Sequence, residues 1–303
     1  MSSRGFHEGE REVQRRAGVE HDAARLEGML RPALLTGGAA AFLAQRDLAV
    51  LTGRDRAGQL WVSALPGHPG FLDGSGTTLR VGTVPVGGDP LHDLPAGQEV
   101  GLLAIDLSLR RRVRVNGTLT GVGADGLEID AEQAYGNCPQ YIQRRDLRLG
   151  AEPGPPPGTA SRAPGFTAGR TRLITAADTF FLGTSHPTRG ADASHRGGSP
   201  GFVRIDGDDL WWPDYAGNNM FNSLGNLAVD PAAALLFIDF GTGSALQLSG
   251  TAALEFTAPG APGDDGGTGR RVRFHPERFA GTALPLRGAP GVGYSPYNPP
   301  LAG

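Results

Sequence analysis

The sequence predicts a mainly β protein made of two copies of one β-rich unit, and three observations predict it. Residues 47–53 (DLAVLTG) recur as 178–184 (DTFFLGT), and Ser63 with Pro69-Gly70-Phe71 recurs as Ser194 with Pro200-Gly201-Phe202, all at one offset of 131 residues. Leu102-Leu103, Ile105-Asp106 and Gly117-Thr118 recur as Leu235-Leu236, Ile238-Asp239 and Gly250-Thr251, at one offset of 133 residues. Both copies also carry short aliphatic and β-branched runs bounded by Gly, Asp or Pro, which read as strands. Constant offsets separated by one small insertion mark a tandem duplication.

The elements follow in order. Residues 8–31 are charged, free of proline and thinly apolar (Val13, Ala17, Leu26, Leu30), which predicts a helical surface arm or lid weakened by Gly9, Gly18 and Gly28. Residues 33–46 suggest a second helix, with Pro32 at an allowed first-turn position. The first repeat then offers the strands LAVLTG, QLWVSAL, TLRVGTV, EVGLLAIDL and RVRVNGTLTGV. In the last, Val113 and Val115 alternate with Arg112 and Arg114, the period of a half-buried strand. The second repeat offers TFFLGTS, FVRIDG, DLWWPDY, AALLFIDF and ALQLSGTAALEF. Asp73-Gly74 and Asp206-Gly207 read as hairpin turns. Residues 218–231 (NNMFNSLGNLAVDP) read as a short helix with Met220, Phe221, Leu224 and Leu227 on one face. The expected organisation is an N-terminal helical arm (1–38), a first repeat (39–150), a Pro/Gly linker (151–169), a second repeat (170–257) and a C-terminal loop and arm (258–303). Residues 258–269 read as a disordered surface loop, and the Pro-rich tail as irregular.

Composition excludes several classes of function. With 28 basic and 31 acidic residues the net charge is -3, so there is no electrostatic footprint for nucleic acid. All the basic residues are Arg, and without Lys no pyridoxal-phosphate internal aldimine forms. A single cysteine, Cys138, excludes an internal disulfide and fits a reducing cytoplasm. No apolar run approaches the ~20 residues that span a bilayer. The N-terminus lacks the apolar core of a secretory signal, and polar sequence after Arg15-Arg16 argues against a twin-arginine signal. His68, His92 and His186 show no metal-ligand spacing.

Some groups remain to be weighed. His195-Arg196 is either a ligand contact or a solvated hairpin. Asn218, Asn219 and Asn222 exceed what a helix start needs for capping. Trp211 and Trp212, on adjacent strand positions, face opposite ways, so one belongs in a core. The cluster Arg110-Arg111-Arg112-Arg114 reads as a solvated strand face, or as a source of cations reaching an anion across a seam between the repeats. Asp106 and Asp239 recur at equivalent places, which suits turns better than a catalytic dyad. Cys138 reads as a structural thiol, since no His lies near it in sequence.

From about residue 40 to 257 the chain resembles the pyridoxamine 5'-phosphate oxidase-related split-barrel flavoproteins. The residues that carry the resemblance are 194–250, with Asn226-Leu227 and Asp230-Pro231, together with YGNCPQYIQRR (135–145), found in a tandem-repeat subgroup. The resemblance implies two six-stranded Greek-key barrels forming an internal pseudo-dimer, with FMN in a groove at their interface. Carried over, the strand-side cofactor contacts are Ser194, His195, Arg196, Gly197 and Gly198, and the helix-side contacts are Asn218, Asn219, Asn222 and Ser223. The chemistry agrees: Arg offers a fork for phosphate oxygens, and glycines let backbone amides approach a ligand.

The chain departs from the pattern where relatives carry Ser-x-Lys at the helix start, for here stand Phe221 and Ser223. Arg196 offers a replacement cation. The matching segments of the first repeat, VSALPGHPGF and GGDPLHDLPAGQEV, lack basic and amide-rich residues, so its site is expected to be degenerate. The family's substrate-binding Arg-x-His pattern is not reproduced in place by RRVRFHPERF (270–279), which disfavours pyridoxamine phosphate as substrate.

The expected function is a cytoplasmic FMN-dependent oxidoreductase acting on a small molecule. F420 is the alternative cofactor, and a haem-related group has no ligand motif in its favour. A non-enzymatic binding or electron-transfer module is the third reading. A separate reductase or ferredoxin-like donor is the expected partner, with homodimerisation the family habit.

Overall fold

The computed structural model describes residues 5–30, 32–136, 138–150 and 165–301. Three helices lead in, α1 (Glu8–Arg16), α2 (Glu20–Ala24) and α3 (Gly37–Ala44). The first sheet holds β1 (Leu48–Arg54), β2 (Leu60–Pro66), β3 (Leu72–Ser75), β4 (Thr78–Val81), β5 (Gln98–Asp106), β6 (Arg111–Gly123) and β7 (Gly126–Gly136). After β8 (Leu147–Leu149) and α4 (Ala168–Ala176) the second sheet holds β9 (Thr179–His186), β10 (Gly190–Gly197), β11 (Arg204–Asp206), β12 (Asp209–Pro213), β13 (Ala232–Asp239), β14 (Ser244–Phe256) and β15 (Arg270–Ala283). Helix α5 (Asn222–Val229) lies between β12 and β13, and β16 (Leu286–Gly288) pairs with β8.

Strand order is β2-β1-β5-β6-β7-β4-β3 in one sheet and β10-β9-β13-β14-β15-β12-β11 in the other. The two orders are the same topology, strand for strand, as a duplication requires. Each sheet has seven strands where six were expected, because the short hairpin strand β3 or β11 adds to the edge.

The central strands are buried on both faces, which explains their unbroken apolar runs. On β1, Ala49 and Leu51 enter the first barrel's core while Leu48 and Val50 face the other barrel. Likewise on β13, Leu235 and Phe237 fill the second barrel, and Leu236 and Ile238 turn to the seam. The seam is thus a third hydrophobic core, shared by Val62, Leu103 and Ile105 of one repeat with Phe181, Ala193 and Leu236 of the other. Backbones come close there: a Cβ on Gly101 would stand 2.6 Å from the Asp192 Cα.

Several expectations are corrected. Strand β6 alternates as expected from Val115 to Leu119, but Arg114, on the face expected to be solvated, is 5% exposed because the second repeat covers it. The hairpin turn of the first repeat is at Gly76-Thr77, not Asp73-Gly74, which lies within β3. Gly76 and Gly207 both have φ +62°, and the 131-residue offset relates them. The second barrel does not end at 257, since β15 runs to Ala283 with Val272 and Phe274 in its core. Residues 258–269 form ordered turns, in which Asp264 Oδ2 accepts from the amides of Gly260 (2.7 Å) and Gly269 (2.8 Å).

The N-terminal segment is neither one helix nor an exposed lid. It breaks at Gly18, where φ is +70°. Helix α1 packs on α5 so closely that a Cβ on Gly9 would overlap the Gly225 carbonyl. Of the expected linker, residues 151–164 lie outside the described residues, as does Asn137, and Ala168 and Gly169 already belong to α4. Trp212 is fully buried, while Trp211 lies outside between the guanidinium groups of Arg204 and Arg271. Asp106 and Asp239 both cap turns, accepting from the amides of Leu109 and Gly241. No helix among the described residues is long and apolar enough to cross a membrane.

Candidate functional site

A pocket opens at the seam, walled by β10, the 213–224 segment and, from the first repeat, β6 and residues 138–141. Eight of the nine residues singled out in the sequence line it: Ser194, His195, Arg196, Gly197, Asn218, Asn219, Asn222 and Ser223. The ninth, Gly198, does not line it; a Cβ there would stand 2.6 Å from the Phe202 ring, so close packing accounts for this glycine. Gly197 has a similar reason, since a Cβ would overlap the Tyr141 carbonyl. The cavity measures ≈ 120 Å³.

The backbone around the pocket is held in costly conformations. Of the four non-glycine residues with positive φ among the described residues, three line it: Tyr141 (64°), Asn219 (59°) and Phe221 (59°). Each costs on the order of 1–3 kcal/mol, and such residues gather at ligand sites. Phe221 stands at the N-cap of α5. Asn218 ties this loop by accepting from the Met220 amide at 3.1 Å.

The lining is cationic. Arg114 crosses from the first repeat to pair with Asp192 (2.8 Å), and it donates to Asn222 Oδ1 (3.0 Å) and the Tyr135 hydroxyl (3.2 Å). Burial opposes its charge, but Asp192 and Tyr135 outweigh burial and hold its pKa above the ordinary value. Ser223 donates to Asp192 (2.7 Å) and reaches Ser194 at 3.0 Å. Arg196 pairs with Asp214 at 3.1 Å, and Arg270 takes the other oxygen of the same carboxylate at 2.9 Å.

Arg112 differs from these. It donates to the His195 carbonyl at 3.3 Å but has no carboxylate partner among the described residues. Burial, then the charges of Arg114 and Arg196, lower its pKa to about 9. His195 is 5% exposed, and neither of its ring nitrogens meets a partner among the described residues. Burial, with Arg112, Arg145 and Arg196 around it, pushes its pKa well below the ordinary value, so the ring is neutral. The four guanidinium groups of Arg112, Arg114, Arg196 and Arg270 face two carboxylates, Asp192 and Asp214. The site therefore carries a surplus of two positive charges and a buried ring that lacks partners, which suits a phosphorylated ligand.

The basic cluster thus divides. Arg112 and Arg114 line the pocket, whereas Arg110 staples carbonyls of Ile142 (2.9 Å), Gly293 (2.9 Å) and Tyr294 (3.2 Å). Arg111 lies over the Phe42 ring. Cys138 lines the pocket as well. Sequence reasoning did not find Asp192, Asp214, Tyr141 or Tyr215; their spacing is not periodic, and only the fold brings them together.

The equivalent place in the first repeat is built differently. Gln247 stands where Arg114 would, and it donates to the Val62 carbonyl (3.1 Å) and Asp89 Oδ2 (2.9 Å), as Arg114 does to the Ala193 carbonyl and Asn222. The two repeat offsets relate every member of those pairs. Arg112 corresponds to Ala245, His195 to Ala64, Arg196 to Leu65 and Gly197 to Pro66, so the cations and the unpartnered ring are gone.

The sequence model of the family described as pyridoxamine 5'-phosphate oxidase matches residues 170–261. No curated protein matches the chain. Among solved structures, HupZ from Group A Streptococcus is 16% identical, with 42% of this chain and 99% of that chain covered and a TM-score of 0.30. An F420 reductase is 17% identical, covering 36% and 93%, with a TM-score of 0.28. A Clostridium acetobutylicum protein related to general stress protein 26 is 15% identical, covering 39% and 89%, with a TM-score of 0.29. The match of residues 170–261 identifies the second repeat with the pyridoxamine 5'-phosphate oxidase family, and the first repeat has the same strand order.

Proposed function

We propose that this chain binds FMN in the seam pocket and serves as a flavin-dependent oxidoreductase for a small molecule. One observation carries the reading: among the described residues Arg112 has no carboxylate partner and the ring nitrogens of the buried His195 beside it have no hydrogen-bond partner, in a pocket with surplus positive charge. Arg112 and Arg196 would hold the phosphate, with Ser194, Asn218 and Asn219 beside them, and His195 would give one hydrogen bond as a neutral ring. Asp192 holds Arg114 in place, and Tyr141 and Tyr215, whose ring centroids are 5.2 Å apart, form an aromatic wall. Bound flavin would supply hydride or electron exchange, which explains why no acid/base constellation of the protein stands out. A separate electron donor, such as a reductase or a ferredoxin-like protein, completes the scheme.

The test is an absorption titration of the purified protein with FMN, with F420 in parallel. Flavin bands that shift on binding, and that weaken with Arg112→Gln, support the reading. Uptake of F420 alone moves the function to deazaflavin chemistry. Uptake of neither ligand overturns both and leaves the non-enzymatic binding module.

A further inference from the structure

The N-terminal helix reaches the pocket from behind. Glu10 of α1 is 4% exposed, and its Oε1 accepts from the Asn222 side-chain amide at 2.5 Å. Its Oε2 accepts from the backbone amide of His7 at 2.8 Å, closing the capping box of α1. A capping-box carboxylate needs only that second contact. The first spans 212 positions of the chain and ends on a residue of the candidate pocket.

Asn222 has two unlike ends, a carbonyl that accepts and an amide that donates. Its donor end meets the Glu10 carboxylate and its acceptor end meets the Arg114 guanidinium. Turning the amide over would oppose oxygen to carboxylate and N–H to guanidinium, two repulsions at once. The carboxylate therefore sets which end of Asn222 faces Arg114.

We infer that Glu10 is a positioning residue of the pocket: it fixes the Asn222 amide that holds Arg114, so the N-terminal helix helps to set the pocket's cations. The groups facing Glu10 are His7 on its own helix, Asn222 on α5, Asp192 on β10, Arg189 in the turn before β10, and Arg114 and Tyr135 on β6 and β7. Glu99 and Glu132 line the same small cavity. Burial is the main cause that pushes the pKa of Glu10 up to about 7, so it changes charge near neutrality.

Glu10→Gln separates positioning from capping, because Gln serves a capping box as Glu does. With its oxygen kept on the His7 amide, the Gln presents N–H to Asn222, which then turns over and sets a donor against Arg114. Two measurements test the inference. In wild-type protein the side-chain amide resonance of Asn222, identified by its loss in Asn222→Ser, is expected to titrate near pH 7, and not to do so in Glu10→Gln. This measurement uses no ligand and does not depend on the proposed function.

The second measurement rests on that reading. FMN affinity of Glu10→Gln is expected to fall about tenfold at pH 8, the loss of one charge-assisted hydrogen bond. The difference should narrow at pH 5.5, where the wild-type carboxyl is also protonated. An Asn222 resonance that does not titrate in wild-type protein overturns the inference, as does a wild-type-to-variant affinity ratio that stays constant with pH. If wild-type protein takes up no FMN, the function falls while the amide titration still decides the role of Glu10.

Discussion

Thr52 and Gly183 occupy the same position of the two repeats, 131 residues apart, and they lie against each other at the seam. A Cβ on Gly183 would stand 2.7 Å from Thr52 Oγ1 and 2.8 Å from its Cγ2. Equivalent residues that touch mark the pseudo-two-fold axis, and here one is large because the other is small. Thr52 is fully buried and β-branched, so it has little room to yield. Gly183→Ala is expected to cost about 1–3 kcal/mol in urea unfolding, as overpacking does. Adding Thr52→Ala should recover part of that loss; a strictly additive double variant would mean that the two do not share the space.

Of the pocket arginines, Arg112 should matter most to an anionic ligand. Among the described residues no carboxylate pairs with it, whereas Arg196 shares Asp214 with Arg270. Arg112→Gln is expected to weaken FMN binding by about 10- to 100-fold, the range of one charge-assisted hydrogen bond at a buried site. Arg196→Gln should weaken it less. Fluorescence titration of the two variants ranks them, and the reverse order would place the phosphate on the Arg196 side.

Ligand should bind once per chain. The place equivalent to the pocket holds Gln247 bonded to Val62, Ser63 and Asp89, with Ala245 and Leu65 in place of arginines. Equilibrium dialysis is expected to saturate at one FMN per polypeptide; a value of two would show that the first repeat binds without these cations.

Asp89 should make stability depend on pH. Burial raises its pKa from 3.8 to about 6, against hydrogen bonds from Ser63, the Leu91 amide and Gln247. Between those values the folded state binds more protons than the unfolded chain, so this group's contribution falls as pH rises through the window and stays low above it. Asp89→Asn removes that slope but opposes its amide to that of Gln247, a penalty that does not change with pH. Relative to wild type the variant should gain about 2–3 kcal/mol between pH 4 and pH 7, since one pKa unit is worth 1.36 kcal/mol. Urea curves at four pH values measure it, and parallel stability profiles would exclude the effect.

The repeat offsets made the strand ladder readable before any coordinates, because an aliphatic run between turn residues states its own register. The 131-residue offset from Gly207 points to Gly76, but the local Asp-Gly signal points to Asp73-Gly74 instead. Strand β15 was missed because Pro276 interrupts it, at a bulge where Gly250 opposes Pro276. The docking of α1 was missed for another reason. It depends on two small residues, Gly9 and Gly225, meeting across the fold, and a lone glycine reads as helix weakness rather than close approach. The pocket was legible where residues cluster, at 194–197 and 218–223. Asp192, Asp214 and Glu10 were not, since a charge reveals its partner only once the chain has folded.

In a pocket shared between identical subunits, every substitution is made in both walls, and dilution takes the walls apart. Here Arg112 and Arg114 come from the first repeat and His195 and Arg196 from the second, on one polypeptide. Each wall can therefore change without its twin. The loss of cations from one place and their retention at the other is the record of that freedom, and the surviving site stays whole at any protein concentration.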